Sequence, residues 1–311
     1  MESRSDEIKS PKADALHSEI HTVAIIGMGL MGGALGLALK RYCPEIQVAG
    51  YARREETRAQ AQQLGACDYV THSMADAVQK ADLIVLCTPI LDIPALVKEM
   101  RNSLKPGAIL TDVGSTKAVL MAEVQKLLSD REACFIGSHP MAGSERTGIQ
   151  SAQADLYNGA VVIVTPPKDI DREPQCEMVQ QLWRLVGAHV LVADAEEHDA
   201  IVSGTSHVPH LMAALLVRLA ARTTKEPSAF CGTGFKDSTR IASGSEWVWH
   251  DIVKSNAEAI SSDLKEVRAD IDFLIETIEN GTFDTIRDML GEARELRSKI
   301  VALTGTPVTG E

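Results

Sequence analysis

The feature that most constrains the fold of this chain is a short β-branched run followed at once by a glycine cluster. Residues 22–26 read Thr-Val-Ala-Ile-Ile, and the next six residues fit the pattern G-x-G-x-x-G through Gly27, Gly29 and Gly32. An Ala- and Leu-rich helical pattern follows over residues 30–40. Because a strand, a tight glycine turn and a helix open a nucleotide-binding βαβ unit, this segment predicts dinucleotide binding. The alternative is a glycine turn that only packs the helix on the strand.

The alternation of strand and helix patterns continues along the chain. Further predicted strands are short apolar runs at residues 46–51, 83–87, 108–113, 134–136, 160–164 and 189–192. Helical patterns separate most of them, at residues 55–64, 91–104, 117–128 and 175–185. This order predicts an α/β fold with a Rossmann-type, doubly wound, mostly parallel sheet.

The alternation stops after residue 193, and only helical patterns follow. We predict helices over residues 196–222, 246–256, 258–279 and 283–301, with Thr282 as the N-cap of the last. The predicted regions are a disordered tail (1–20), a dinucleotide-binding domain (21–193) and an all-helical substrate and dimerisation domain (194–311). The first long helix is apolar through residues 208–219, more than one packed face needs, so we expect a homodimer.

The composition excludes several classes of function. Of 311 residues, 43 are acidic and 31 are basic, which gives a formal charge of -12, and no run of basic residues is present. Nucleic acids and anionic membranes attract basic surfaces, so neither is an expected partner. No unbroken apolar run reaches the roughly 18 to 20 residues that span a bilayer, and the first 20 residues lack a signal-peptide pattern. The six cysteines stand singly without metal-ligand spacing, so we expect reduced thiols, no metal and a cytoplasmic location.

The loop after the second predicted strand bears on the choice between NAD and NADP. An acidic residue there would hydrogen-bond the ribose of NAD, but this chain has Ala52, Arg53 and Arg54. Guanidinium groups form charge-assisted bonds to the 2'-phosphate of NADP, so NADP is favoured and NAD stays possible. The alternative is that Arg53 and Arg54 are only the solvated start of a helix and bind no cofactor. The predicted cofactor-binding residues are Gly27, Gly29, Leu30, Met31, Gly32, Ala52, Arg53, Arg54, Thr88 and Pro89.

Four polar clusters stand out in this otherwise apolar chain. Two follow predicted strands, at residues 111–117 and 138–145, and two lie in the helical half, at residues 206–210 and 232–242. Burying polar groups costs free energy unless they are paired, so the clusters predict a functional site. Within the second cluster, His139 stands where a buried strand should end, and histidine is suited to accept a proton near neutral pH.

Taken together, these segments resemble the prephenate/arogenate dehydrogenase family of tyrosine biosynthesis. The likeness covers about residues 21–300, in which GxGxxG, DVGSTK, SHPMAGSE, SHVPH and GFKDSTRIA occur in the family's order and spacing. The resemblance implies oxidative decarboxylation of prephenate to 4-hydroxyphenylpyruvate, with hydride transfer to NAD(P)+.

The resemblance also implies roles for particular residues. His139 would accept the proton of the substrate hydroxyl, and Ser115 would hydrogen-bond the same oxygen. Arg240 would anchor the ring carboxylate, while His210 would bind the side-chain end. The other residues that the resemblance places around the substrate are His207, Lys236, Asp237, Ser144 and Glu145.

Three alternatives stay open. Arogenate could replace prephenate, but Glu145 is the only acid in residues 139–150, and without a second acid to hold the ammonium of arogenate we favour prephenate. A 3-hydroxyacid dehydrogenase or imine reductase would place a lysine or aspartate where this chain has Ser206, His207 and His210. A non-enzymatic module would bind NADP as a signal without turnover.

Overall fold

The structure is a computed structural model that describes residues 20–142, 146–168, 172–223 and 226–303. Its strands are β1 (Thr22–Ile26), β2 (Gln47–Tyr51), β3 (Tyr69–Thr71), β4 (Leu83–Leu86), β5 (Ile109–Asp112), β6 (Cys134–Phe135), β7 (Gly137–Pro140), β8 (Val161–Thr165) and β9 (His189–Val192). Its helices are α1 (Leu30–Tyr42), α2 (Glu55–Gln63), α3 (Met74–Val78), α4 (Ile93–Met100), α5 (Ala118–Leu128), α6 (Glu173–Leu185), α7 (Ala195–Val202), α8 (Val208–Thr223), α9 (Thr233–Thr239), α10 (Glu246–Ser255), α11 (Ala257–Glu279) and α12 (Phe283–Leu303).

The central sheet has six parallel strands in the order β3-β2-β1-β4-β5-β6. Side chains of β1 alternate between two apolar clusters: Val23 and Ile25 belong to one, and Ala24 and Ile26 belong to the other. All five residues of β1 are buried, as expected for a strand that is covered by helices on both faces. The predicted Rossmann-type class with a helical C-terminal part is therefore confirmed.

A second sheet differs from the single sheet that we predicted. It has the order β7-β8-β9, with β7 antiparallel and β9 parallel to β8. The chain leaves the central sheet after Ile136, whose N–H still donates to the Leu110 carbonyl. The next such donor, the Ser138 N–H, binds the Asp112 side chain instead. This switch from a backbone to a side-chain acceptor ends the first sheet beside His139.

The long helix predicted over residues 196–222 is interrupted. A π-helical turn, Ser203–His207, separates α7 from α8. The turn contains Gly204 and hydroxyl residues, which favour α-helix weakly, and the Thr205 hydroxyl bonds back to the Ile201 carbonyl at 2.8 Å. Such π turns frequently lie at functional sites.

By backbone contacts the chain divides into one unit up to residue 257 and another from residue 258 onward. The second unit consists of α12 and nearly all of α11, and Thr282 directly precedes α12. The predicted domain boundary at residues 193 and 194 stays a prediction. The predicted tail lies outside the described residues, apart from Ile20, which is buried.

The segment from Ala195 to Thr223 is long and apolar enough to cross a membrane, by length and composition alone. The sequence holds no unbroken apolar run of that length, but a mean hydropathy taken over a window of residues tolerates polar interruptions. One such helix is weak evidence, since a core helix of a globular protein passes the same test. Five polar residues of this segment, His198, Asp199, Ser203, His207 and His210, are buried.

Candidate active site

A cleft of about 530 Å³ lies at the carboxyl ends of β1, β2 and β4. It is lined by most of the predicted cofactor residues, namely Gly27, Gly29, Ala52, Arg53, Arg54, Thr88 and Pro89. Leu30, Met31 and Gly32 begin α1 and do not line the cleft. Another part of the lining, Gly148, Ile149 and Gln150, was not among the predicted cofactor residues, because this segment carries no motif.

The three glycines of the first turn have different physical roles. Gly27 has a φ of +105°, and a Cβ there would lie 2.7 Å from the Cys87 carbonyl oxygen. A Cβ on Gly32 would lie 2.1 Å from the Gly27 carbonyl oxygen, so this glycine lets α1 pack against the turn. Gly29 faces open space, with no heavy atom within 4 Å of the place of a Cβ. The space beside Gly29 lets a ligand approach the backbone closely.

The start of α1 suits a pyrophosphate. Its N-cap, Gly29, offers no side-chain hydrogen bond, and the first turn holds no acidic residue. The first N–H groups of α1 and the positive end of its dipole are therefore not satisfied by a capping side chain or an acidic side chain of the first turn, and they can bind an anion. These residues fit a dinucleotide.

The β2–α2 loop presents positive charge to the same cleft. Arg53 and Arg54 are exposed, and within the described ranges neither side chain forms an ion pair. Arg58, which sequence analysis did not single out, donates to the carbonyls of Ala52 at 2.9 Å and Arg53 at 2.7 Å. These two bonds hold the loop in place.

His139 lies on β7 and is only 8% exposed. Hydrogen bonds tie its strand to the end of β5: the Ser138 N–H donates to Asp112 Oδ1 at 2.9 Å, and the Ser138 and Thr111 hydroxyls lie 2.8 Å apart. Ser115 is half-buried in the loop that follows β5. The structure thus anchors the segments of His139 and Ser115 to one another.

A buried ion pair supports this junction. Lys117 Nζ contacts Asp112 Oδ2, and both side chains are fully buried. Burial lowers the pKa of Lys117, and Asp112 opposes that shift. Asp112 also accepts the Gly114 N–H at 2.8 Å. Both residues lie in a polar cluster that sequence analysis noted, but the pairing itself was not predicted.

The surroundings keep His139 neutral at ordinary pH. Burial is the main cause that holds its pKa well below 6.5, and the nearby His198, Lys117 and His207 lower it further. A neutral imidazole has a lone pair that can accept a proton.

His207 and His210 flank the junction of the π turn and α8. His207 is buried, and its Nδ1 lies 3.2 Å from Asn256 Nδ2. His210 stacks on Trp249 with ring centroids 3.4 Å apart and an interplanar angle of 14°. Burial lowers the pKa of His207 to about 4 and also lowers that of His210. Asn256 and Trp249 were not among the predicted site residues.

The lowered pKa values of His139, His207 and His210 predict that the folded protein loses stability on acidification. Below pH 6.5 the unfolded chain binds protons at histidine, whereas the folded chain, with its lowered pKa values, does not. The free energy of unfolding should therefore fall as pH drops from 7 to 5.5, by about 1 kcal/mol from His139 alone. Urea unfolding across this range would measure it. The slope should be shallower in a His139→Asn variant; an equal slope in both proteins would contradict the interpretation.

Of the remaining predicted substrate residues, three are exposed and two lie outside the described residues. Lys236 and Asp237 on α9, and Arg240 at the start of the 3-10 turn Arg240–Ser243, are exposed. Their segment packs against α8. Ser144 and Glu145 lie outside the described residues. Convergence of Arg240 with His139 stays a prediction.

Across the described ranges, no cluster of three or more His, Cys, Asp or Glu residues could hold a metal ion.

Two sequence models of one family match the chain along most of its length. The model described as prephenate dehydrogenase, nucleotide-binding domain, matches residues 35–192. The model described as prephenate dehydrogenase, dimerization domain, matches residues 194–292. The chain belongs to the prephenate dehydrogenase family. It is therefore a nicotinamide-dependent oxidoreductase, and the family resemblance seen in its motifs is confirmed.

Named relatives in this family are similar over nearly the whole chain. Cyclohexadienyl dehydrogenase of Zymomonas mobilis is 31% identical over 88% of this chain and 94% of its own. Prephenate dehydrogenase of Bacillus subtilis is 31% identical over 89% of this chain and 75% of its own. The crystal structure of prephenate dehydrogenase from A. aeolicus, in complex with hydroxyphenyl propionate and NAD+, is 31% identical, has a TM-score of 0.83, and covers 90% of this chain and 98% of that chain.

Proposed function

We propose that this chain converts prephenate to 4-hydroxyphenylpyruvate and uses NADP+ in preference to NAD+. The observation that carries the proposal is the buried histidine, His139, whose pKa is held well below 6.5 in a chain of the prephenate dehydrogenase family. Bound NADP+ supplies the hydride acceptor. The substrate loses a hydride from C4 and the proton of its 4-hydroxyl, and loss of CO2 then makes the ring aromatic.

His139 accepts the hydroxyl proton in this proposal. Its low pKa keeps it unprotonated at neutral pH, so no proton has to leave it before the reaction. Ser115, on the loop that Asp112 joins to the His139 strand, donates a hydrogen bond to the same substrate oxygen. The two side chains together orient the hydroxyl and remove its proton.

Cationic and polar side chains of the helical part bind the two carboxylates of prephenate. Arg240 anchors the ring carboxylate, and its exposed guanidinium is available because no described residue forms an ion pair with it. His210 binds the pyruvyl end. The residues that support the pocket are His207, Lys236, Asp237, Ser144 and Glu145. We propose prephenate over arogenate because residues 139–150 offer no second acid for an ammonium group.

The preference for NADP rests on the β2–α2 loop. No acid stands at the end of β2, where one would bind the ribose hydroxyls of NAD, and Arg53 and Arg54 line the cleft there. Arginine forms bidentate, charge-assisted bonds to phosphate, which suits the 2'-phosphate of NADP.

The assembly that we propose is a homodimer in the cytoplasm. The helical part matches a family domain described as a dimerization domain, and α8 exposes a run of large apolar side chains, Leu215, Leu216, Val217 and Leu219. Exposed apolar patches of this kind mark interaction surfaces.

Steady-state assays test the substrate and the cofactor together. With prephenate or arogenate, each offered with NAD+ and NADP+, we expect the highest kcat/KM for prephenate with NADP+. The double variant Ala52→Asp/Arg53→Ser should shift the preference towards NAD+, because it offers an acceptor to the 2'-hydroxyl and removes a phosphate partner. Arg131→Ser, at an exposed arginine remote from the cleft, is the matched control. A wild-type preference for NAD+ of about tenfold, or roughly 1.4 kcal/mol, would refute this interpretation of the loop.

A further inference from the structure

Two buried residues outside the proposed site extend inward from His139. His139 Nδ1 lies 2.9 Å from His198 Nε2, and the rings meet edge to face with centroids 5.1 Å apart. His198 Nδ1 in turn lies 2.8 Å from Asp199 Oδ1. The His198 side chain is 0% exposed and that of Asp199 is 6% exposed. This row of contacts connects the proposed base to an aspartate that solvent hardly reaches.

The surroundings of Asp199 fix the direction of these hydrogen bonds. Asp199 Oδ1 accepts the Lys117 N–H at 2.7 Å, and Oδ2 accepts the Ala118 N–H at 2.9 Å. Both groups lie at the N-terminus of α5, where the first N–H groups of the helix lack backbone acceptors and the helix dipole favours an anion. Backbone N–H groups can only donate, so Asp199 acts as an acceptor on both oxygens. The third contact of this carboxylate, with His198 Nδ1, then has the proton on the histidine.

The acceptor role of Asp199 fixes the proton positions on His198 and His139. A neutral His198 with its proton on Nδ1 has an acceptor at Nε2. His139 must then donate through its own Nδ1–H, and its basic nitrogen is Nε2. We propose that His198 and Asp199 are positioning residues that hold His139 in the Nδ1–H tautomer and leave Nε2 to accept the substrate proton. The catalytic part of this proposal rests on the proposed function, in which His139 is the base.

The hydrogen bonds from His139 through His198 to Asp199, here called the relay, also accommodate the positive charge that the reaction creates on His139. When the hydroxyl proton binds His139 Nε2, the ring becomes an imidazolium. The hydrogen bond from His139 Nδ1 to His198 Nε2 then shortens, or the Nδ1 proton moves to His198 Nε2. In either case the positive charge lies towards Asp199. Among the described residues, the other charged or titratable groups that face these hydrogen bonds are Lys117, which is paired with Asp112, and His207 from the π turn. Asn256 donates to the Asp199 carbonyl and fixes the backbone at this point.

Kinetics of two variants test the relay. In Asp199→Ala no carboxylate accepts the His198 Nδ1–H, so neither His198 nor His139 is held in one tautomer. We expect kcat to fall on the order of 10²-fold while KM for prephenate changes less than about threefold. His198→Gln should lower kcat in the same way and serves if Asp199→Ala does not fold.

Two matched controls separate the relay from a general loss of charge or ring. Asp194→Asn changes the half-buried N-cap aspartate of the same helix, α7. His250→Gln changes an exposed histidine whose Nδ1 lies 2.9 Å from Asp251 Oδ1. Both controls should keep kcat within about twofold of wild type.

A spectroscopic measurement tests the tautomer without any substrate. In protein labelled with ¹⁵N-histidine, the imidazole nitrogen signals distinguish a protonated from an unprotonated nitrogen, and the His139 signals are identified by their absence in His139→Asn. We expect His139 to carry its proton on Nδ1 in the wild type and to show a mixture of the Nδ1–H and Nε2–H tautomers in Asp199→Ala. An Nε2–H tautomer in the wild type, or unchanged kcat and tautomer in Asp199→Ala, would overturn the proposal. Because no substrate is needed, this result is independent of the proposed function, which fails separately if His139→Asn retains full turnover.

Discussion

Replacing His139 with asparagine should lower kcat by about 10²-fold or more and leave NADP binding nearly intact. The size is that expected when general-base assistance is lost, since asparagine cannot accept the hydroxyl proton at neutral pH. Cofactor binding should be preserved because no residue of β7 lines the cofactor cleft, which is formed at the ends of β1, β2 and β4, by α2 and by residues 148–150. Steady-state kinetics and a titration of NADP on the same preparation would measure both quantities.

A control for the His139 variant is available on the same sheet. His189→Asn changes an exposed histidine at the start of β9, and its kcat should match the wild type. A His139→Asn enzyme with wild-type kcat would remove this residue from the chemistry.

Arg240→Gln should cut kcat/KM for prephenate by roughly 10- to 200-fold. A lost hydrogen bond to a charged group costs about 1.5 to 3 kcal/mol, and a dianionic substrate on a protein of net charge -12 depends on local cations. The affinity for NADP should stay within about twofold, because Arg240 is not among the residues that line the cofactor cleft.

The matched control for Arg240 is Arg184→Gln on α6, where an exposed arginine pairs with Glu177 at 2.9 Å. This variant should retain the wild-type kcat/KM. An unchanged KM for prephenate in Arg240→Gln, or an equal loss of NADP affinity, would exclude Arg240 from the substrate site.

The cofactor half of the molecule could be predicted from local sequence. A β-branched run, three spaced glycines and an apolar helix each specify a conformation within a few residues, and the structure places them as β1, the turn and α1. The loop at Ala52 follows for the same reason, since it ends a strand of the predicted sheet. Arg58 escaped notice because its role is to hold backbone carbonyls, which no side-chain pattern reveals.

The proton-transfer half could be predicted only in part. The sequence pointed to His139 as a strand-end histidine, but β7 itself, with the sequence Gly-Ser-His-Pro, has almost no strand propensity and forms by pairing with β8. The His139–His198 contact joins residues 59 apart in the chain. Contacts of this range depend on how α7 packs, and hydrophobic periodicity carries no information about them.

The polar cluster at residues 206–210 illustrates the same limit. The sequence placed this cluster within one long predicted helix, whereas the structure has a π turn, Ser203–His207, that overlaps its start. The turn brings His207 to Asn256, 49 positions later, and that pairing could not be predicted from either segment alone.

The most direct test of the account is product analysis with wild-type protein, prephenate and NADP+. Reduced cofactor is followed by its absorbance, and 4-hydroxyphenylpyruvate is quantified in the same reaction. We expect one 4-hydroxyphenylpyruvate to form for each NADPH, at a rate that falls by about 10²-fold or more in His139→Asn. Binding of NADP+ without reduction in the presence of prephenate would contradict it and would favour a module that senses the cofactor without turning it over.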